Sequence, residues 1–190
     1  MSDTQIVLPD ESAFLRFAQH LLEISAEGKR WPPTVFEVIL KLLAHTSWEI
    51  VPVITHRGKK QFLYIRRSPN DLAYPPDPMF GSPWCFAGSN NRGEPLAAGL
   101  ARINAEHFRV GEASRPRLVG GVNWYKEPRG PGVGLVFLCD YRGAIPPDAQ
   151  WYDWDCPPDH MIEIHRFIAT CLFMALQDPN STPFFMDDPR

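Results

Sequence analysis

Residues Gly88–Val110 read GSNNRGEPLAAGLARINAEHFRV, and no other stretch of the chain says as much about its fold. Pro95 is well placed at the first helical position, where a missing N–H costs nothing. Leu96, Leu100 and Phe108 fall on one stripe at helical spacing, which Asn104 interrupts, so a helix is expected over 95–107. Arg102 and Glu106 are four apart and can pair on a helix surface for a few tenths of a kcal/mol. Glu94 stands at the helix start, where a carboxylate favours the positive end of the dipole. On these grounds alone, Arg102 and Glu106 form a surface ion pair and Glu94 is structural.

The flanks carry strands. Upstream, Ser47-Trp-Glu-Ile-Val-Pro-Val-Ile54 reads as a strand, with Pro52 pointing to an edge or a bulge. The stretch His56-Arg-Gly-Lys-Lys60 turns it into a second strand, Gln61-Phe-Leu-Tyr-Ile-Arg-Arg67, which ends in two basic residues. After a loop comes Trp84-Cys-Phe-Ala-Gly-Ser89. Downstream, strands are expected at 116–125 and 132–141, with the glycine run Gly130-Pro-Gly-Val-Gly134 as the hairpin turn between them. The aromatic segment Gln150-Trp-Tyr-Asp-Trp154 precedes a helix expected at 159–176.

Read with these flanks, residues 88–110 resemble the signature of the Nudix hydrolases, Gly-x5-Glu-x7-Arg-Glu-U-x-Glu-Glu-x-Gly-U with U apolar. Gly88, Glu94, Arg102, Glu106 and Val110 stand at the family's spacings. Ile103, Asn104, His107 and Arg109 stand where the family has its first catalytic Glu, an apolar residue, the last Glu and the second Gly. The segment at 84–89 looks like the family's Trp-x-x-Pro-Gly-Gly entrance, with Ala87 for Pro and Ser89 for the second Gly. The likeness runs over about 48–176. It implies an α/β fold, an α/β/α sandwich around a mixed sheet, to which two N-terminal helices are extra.

The resemblance also implies chemistry. The family hydrolyses compounds in which a nucleoside diphosphate is linked to another group, with magnesium or manganese activating water and neutralising the pyrophosphate. Hard cations want several oxygen ligands. Of three box glutamates only Glu106 is retained, Ile103 is apolar, and His107 is a ligand suited to transition metals rather than magnesium. The implied site is Glu106 and Arg102 for catalysis, Glu106 and His107 for a metal, and Gly88 and Glu94 for the structural loop. Two readings stay open. One is a hydrolase using Mg2+ or Mn2+ at a depleted or rebuilt site, completed by His107 or a distal acid. The other is a fold that needs no metal, has lost catalysis, and binds a nucleotide-like ligand or a partner protein.

Residues 68–83, SPNDLAYPPDPMFGSP, hold five prolines, which rule out regular structure. In the resembling fold this loop overhangs the ligand cleft, where Tyr74 or Phe80 can stack on a base; a stiff loop with its aromatics tucked down is the plainer reading. Arg66 and Arg67 can grip phosphate in the bidentate way a guanidinium allows, against simple surface solvation. His165 shares a stripe with Met161, Ile168 and Leu172 and reads as a core histidine. Asp153, Asp155 and Asp159, with His160, form an acidic cluster that can supply a missing carboxylate, although capping of the helix by Asp159 and solvation explain it too. Glu112 and Glu127 are candidate remote bases that nothing in their spacing singles out. Neither a Gly-x-Ser-x-Gly elbow nor a Gly-x4-Gly-Lys-Ser/Thr loop is present.

Length and composition set the outer limits. At 190 residues, with 44% hydrophobic and 22% charged, the chain suits one globular domain with an appendage. We expect a helical extension over 1–46 packed on a domain over 47–190. The extension carries amphipathic helices at 11–27 and 34–45, the latter opened by Thr34 and Glu37 as a capping box. Packing on the core is the expected role of these helices, a homodimer contact the alternative. A net charge of −3 supplies no basic field for a nucleic acid polymer, so the expected partner is a small nucleotide-like ligand. The four cysteines have no ligand spacing and read as reduced. No signal-like N-terminus or membrane-length apolar run is seen, and a soluble cytoplasmic protein is expected.

Overall fold

A computed structural model of the chain describes residues 45–71, 73–124, 131–178 and 183–187. They all fall within one compact unit, Leu40–Arg190. Apart from His45, the helices expected at 11–27 and 34–45 lie outside the described residues.

Eight strands and two helices make up the described part. The strands are β1 (His45–His56), β2 (Lys59–Arg66), β3 (Trp84–Cys85), β4 (Ala87–Asn90), β5 (Gly111–Trp124), β6 (Gly132–Gly143), β7 (Ala149–Asp153) and β8 (Phe184–Asp187). Helix α1 (Leu96–His107) lies between β4 and β5, and α2 (Glu163–Gln177) between β7 and β8. The strand order is β3-β2-β1-β6-β5-β8, with β4 also on β1 and β7 also on β2. β1 runs parallel to β6 and antiparallel to β2 and β4, so the sheet is mixed.

β1 organises the fold because it changes partner along its length. Its first half, Ser47 to Ile50, pairs with β4, and its last residues, Val53 to His56, pair with β2. Pro52 stands at the handover, opposite Cys139 of β6, where neither β4 nor β2 asks for its missing donor. This proline is therefore neither on an edge strand nor at a bulge, as its sequence context had suggested. Successive side chains of a strand point to opposite faces. Trp48 meets α1 at Gly99, while Glu49 meets His165 of α2. One helix thus covers each face, which makes an α/β/α sandwich.

Helix α1 begins one residue later than expected, with Pro95 immediately before it and no side-chain cap. Leu100, Ile103 and Phe108 are buried, so the apolar stripe faces the core. Asn104, which breaks that stripe, has a use that spacing does not show. Its amide donates to the Ala113 carbonyl at 2.9 Å and accepts from the Ala113 N–H at 2.8 Å, tying the helix to the start of β5 as a strand neighbour would. Helix α2 starts at Glu163 rather than 159, and Asp159 does not cap it. Residues 160–162 instead run extended along β3: the Trp84 N–H bonds the His160 carbonyl at 2.9 Å and the Ile162 N–H bonds the Trp84 carbonyl at 3.0 Å.

The core holds Phe62, Tyr64, Phe86, Ile50, Val51 and Leu172, all fully buried or nearly so. Burial pushes the thiols of Cys85 and Cys139 up to about 12 and that of Cys171 to about 11. All three are free, and none supplies a thiolate nucleophile at neutral pH. Among the described residues no helix is long and apolar enough to cross a membrane. Tyr64, stacked on Phe86 at 4.6 Å, buries a hydroxyl that finds no partner among the described residues. An orphaned buried hydroxyl costs about 1 kcal/mol or more. We therefore expect Tyr64→Phe to melt at the same temperature as wild type or a few degrees higher; a clear drop in a thermal melt would reveal a bond to this hydroxyl.

Candidate functional site

Residues 89–94 and helix α1 are fastened by one side chain. Arg102, only 15% exposed, projects from α1 back over residues 89–94. Its guanidinium donates to both carboxylate oxygens of Glu94, to the Ser89 hydroxyl and, at 3.2 Å, to the Asn90 carbonyl. The Arg102 bond is the chief cause that holds the Glu94 carboxyl below the usual carboxylate range. The expected pairing of Arg102 with Glu106 is also present but looser, at 3.8 Å. Arg102 is thus a clasp for the loop first and a helix-surface ion pair second.

Gly88 is needed for a separate reason. A Cβ there would lie 3.0 Å from the carboxylate carbon of Glu49 and overlap one of its oxygens. Glu49 is 5% exposed, accepts a 2.7 Å bond from the Ser47 hydroxyl and has the His165 ring 3.8 Å away. The Nδ1 of His165 accepts the Phe86 N–H at 3.1 Å, so that nitrogen carries no proton to offer Glu49. His165 is therefore buried and satisfied by backbone, as its stripe suggested. Glu49 was not singled out from sequence. The available signal was a lone carboxylate inside the apolar run Trp48-Glu-Ile-Val51.

Glu106 sits at the C-terminal end of α1 with a guanidinium near each oxygen: Arg92 is 3.8 Å from one and Arg102 3.8 Å from the other. Ile103, on the same helix, is fully buried in the core. His107 bonds the Gly88 backbone, and burial, opposed by the Glu106 charge, lowers its pKa, so the ring is neutral at pH 7. Glu106, His107, Arg109 and Asp148 line a cavity of about 90 Å³ walled by Pro146 and Pro147. Among the described residues no three His, Cys, Asp or Glu side chains are placed to hold a metal ion. This donor set does not fit a hard divalent cation, which needs several carboxylate or carbonyl oxygens not already committed to guanidinium groups.

The basic pair at the end of β2 is spent on the Pro-rich loop. Arg66 donates to the Phe80 carbonyl at 3.1 Å and to the Ser82 carbonyl, and lies 4.1 Å over the Trp84 ring. Arg67, 17% exposed, is held by Asp71, with one bond at 2.9 Å, and sits 5.8 Å over Tyr74. Tyr74 is half-buried against the core. Phe80 is 54% exposed, with one face stacked on His160 at 5.5 Å. The structure therefore makes one group of Gly88, Glu94, Arg102, Glu106 and His107. A second group combines Arg66, Phe80, Trp84 and His160, and a third Arg67, Tyr74 and Asp71. Of the acidic cluster, Asp153 bonds Gln61 at 2.8 Å and pairs with Lys59 at 3.5 Å across the β2–β7 ladder. Glu127 lies outside the described residues.

No protein-family model matches this sequence, and no curated protein matches it either. Solved structures do match its fold. The NUDIX domain of Shewanella oneidensis NrtR complexed with ADP ribose gives a TM-score of 0.50 at 17% identity, covering 82% of this chain and 97% of that one. Ap4A hydrolase from C. elegans gives 0.51 at 12% identity, covering 72% and 100%. The C-terminal domain of mouse MUTYH, solved in complex with human PCNA, gives 0.52 at 16% identity, covering 71% and 90%. At such identities the likeness is one of fold.

Proposed function

The chain has a Nudix fold, and on that basis we propose that it is a binding module for a nucleotide-like ligand that has given up metal-dependent hydrolysis. The observation that carries this reading is Glu106, the one retained box carboxylate, with Arg92 and Arg102 each 3.8 Å away, beside an isoleucine buried in the core. A cation approaching Glu106 would first have to displace two guanidinium groups. The neighbouring domain complexed with ADP ribose supports a ligand that contains a nucleoside diphosphate. Phe80, half exposed with one face on His160, is the residue we assign to stacking a base, whereas Tyr74 packs on the core under Arg67. Arg66 and Arg67 set the loop's shape, and any grip on phosphate runs through what their carbonyl and Asp71 bonds leave free.

A second reading keeps the hydrolase. Glu106, the neutral His107 and Asp148 line one cavity, and because as placed they form no ion site, a metal there would have to draw these side chains together, a nitrogen donor favouring a transition metal over magnesium.

The test is a hydrolysis screen of ADP-ribose, dinucleoside polyphosphates, nucleoside diphosphate sugars and triphosphates, with magnesium or manganese, on wild type and Glu106→Gln. Thermal-shift binding to the same compounds runs in parallel, with and without EDTA. We expect equal background turnover from the two proteins and a melting shift from at least one compound that EDTA leaves in place. Metal-dependent turnover abolished in Glu106→Gln would sink the binding reading and establish the second. If no compound shifts the melt, the nucleotide ligand fails and a protein partner is the remaining role.

A further inference from the structure

A larger opening lies on the α2 side of the sheet. β1 and β6 run side by side as far as Pro52 and Cys139. Beyond that point β1 continues with β2, while β6 continues with β5. Two parallel neighbours thus part at their carboxyl ends, each drawn towards a partner on the other side, and open α/β sheets bind ligands in the crevice outside such a point. Here the crevice is a cleft of about 320 Å³, at the lower end of the range for small-molecule sites.

The lining has two chemistries. Val53, Leu138 and Leu176 give an apolar floor, and Thr55, Lys60, Arg117 and Asp140 a polar rim. Asp140 is the one acid in the lining and already has Arg115 3.6 Å away, which leaves the two lining cations, Lys60 and Arg117, in excess. Lys60 rests 5.6 Å from the Trp154 ring. Arg117 has no ion-pair or hydrogen-bond partner among the described residues, and nothing in the fold above uses it. A planar guanidinium with open donors fits a carboxylate through two parallel bonds. We propose that this cleft binds a small aliphatic carboxylate, its chain on Val53, Leu138 and Leu176 and its charged end on Arg117 and Lys60. The site is separate from the box and stands whether or not the chain binds a nucleotide.

The probe is octanoate, titrated into the 15N-labelled full chain while amide shifts are followed. Saturable shifts are expected at residues 53–55, 117, 138–140 and 176, with the box helix unmoved. Arg117→Glu, an exposed substitution, should weaken binding about tenfold or more without lowering the melting temperature. Leu176→Glu, which sets a charge on the floor, should weaken binding likewise, with some loss of melting temperature because Leu176 packs on the core. Octanol and inorganic phosphate, each carrying one half of the chemistry, should bind far more weakly than octanoate. The proposal is overturned by an absence of saturable shifts, by shifts that map elsewhere, by unchanged affinity in Arg117→Glu, or by phosphate binding as tightly as octanoate.

Discussion

Gly99→Ala is expected to destabilise the protein by about 3 kcal/mol, the upper part of the range for overpacking a core. An added Cβ would overlap Cζ3 of Trp48 and stand 2.5 Å from Cε3 and 2.6 Å from Cη2. The indole is 5% exposed on the central strand, so it has no open space to swing into. At an exposed helical site the same substitution would gain about 1 kcal/mol from helix propensity, which gives the result a decisive sign. Urea unfolding measures it directly. Trp48→Leu in the same chain should recover part of the loss, because the smaller side chain vacates the place that the new methyl takes. A stabilised Gly99→Ala protein would mean that α1 does not pack on β1 at this residue.

Removing the Arg102 clasp should have the second-largest effect. Arg102→Ala breaks the bonds to Glu94, Ser89 and Asn90 together and leaves residues 89–94 tied to the helix through the chain and the weaker Arg92–Glu106 pair. Charge-assisted bonds at a largely covered site suggest a loss of about 2 kcal/mol, with Arg102→Lys restoring less than half because an ammonium cannot span three partners.

The pH dependence tests the same contact. Glu94 has its pKa lowered in the folded protein, so its contribution is complete above the ordinary glutamate pKa of about 4.3 and is lost as the pH falls through the lowered folded value. Wild type and Arg102→Ala should therefore differ most at neutral pH and converge in acid. His107 acts in both proteins alike. Its pKa is also lowered by folding, so stability falls once the pH drops below the ordinary histidine value of about 6.5, until the folded ring itself is protonated. An unchanging gap between the two proteins down to the lowest pH would show that Glu94 is not the partner through which Arg102 acts.

Much of the fold was legible because its signals are local. The strands around 48–55, 61–67, 116–125 and 132–141 and the helix over 95–107 each announce themselves by periodicity or by a proline or glycine at their ends. They appear within a few residues of those limits, longer where ladder pairing extends them. The short strands β3, β4 and β8 carry too few residues to show a period. The late start of α2 depends on β3 lying beside residues 160–162, which no spacing reveals. The site was legible only in part. Asn104 looked like a flaw in a helix stripe until Ala113 was found across from it, and Glu49 was one acid in an apolar run until Gly88 and His165 closed over it.

The sequence by itself determined where the long strands and the first helix run, because backbone preference and side-chain period are properties of neighbours along the chain. Only the tertiary structure decided what each charge faces: Arg66 and Arg67 turned into a proline-rich loop, Glu106 set between two arginines, and Arg117 left open on a cleft between parting strands. The reason is that an ionic or hydrogen bond depends on distance through space, and residues that meet there, such as Arg66 with Phe80 or Glu49 with His165, are brought together by strand register and helix packing rather than by their places in the chain.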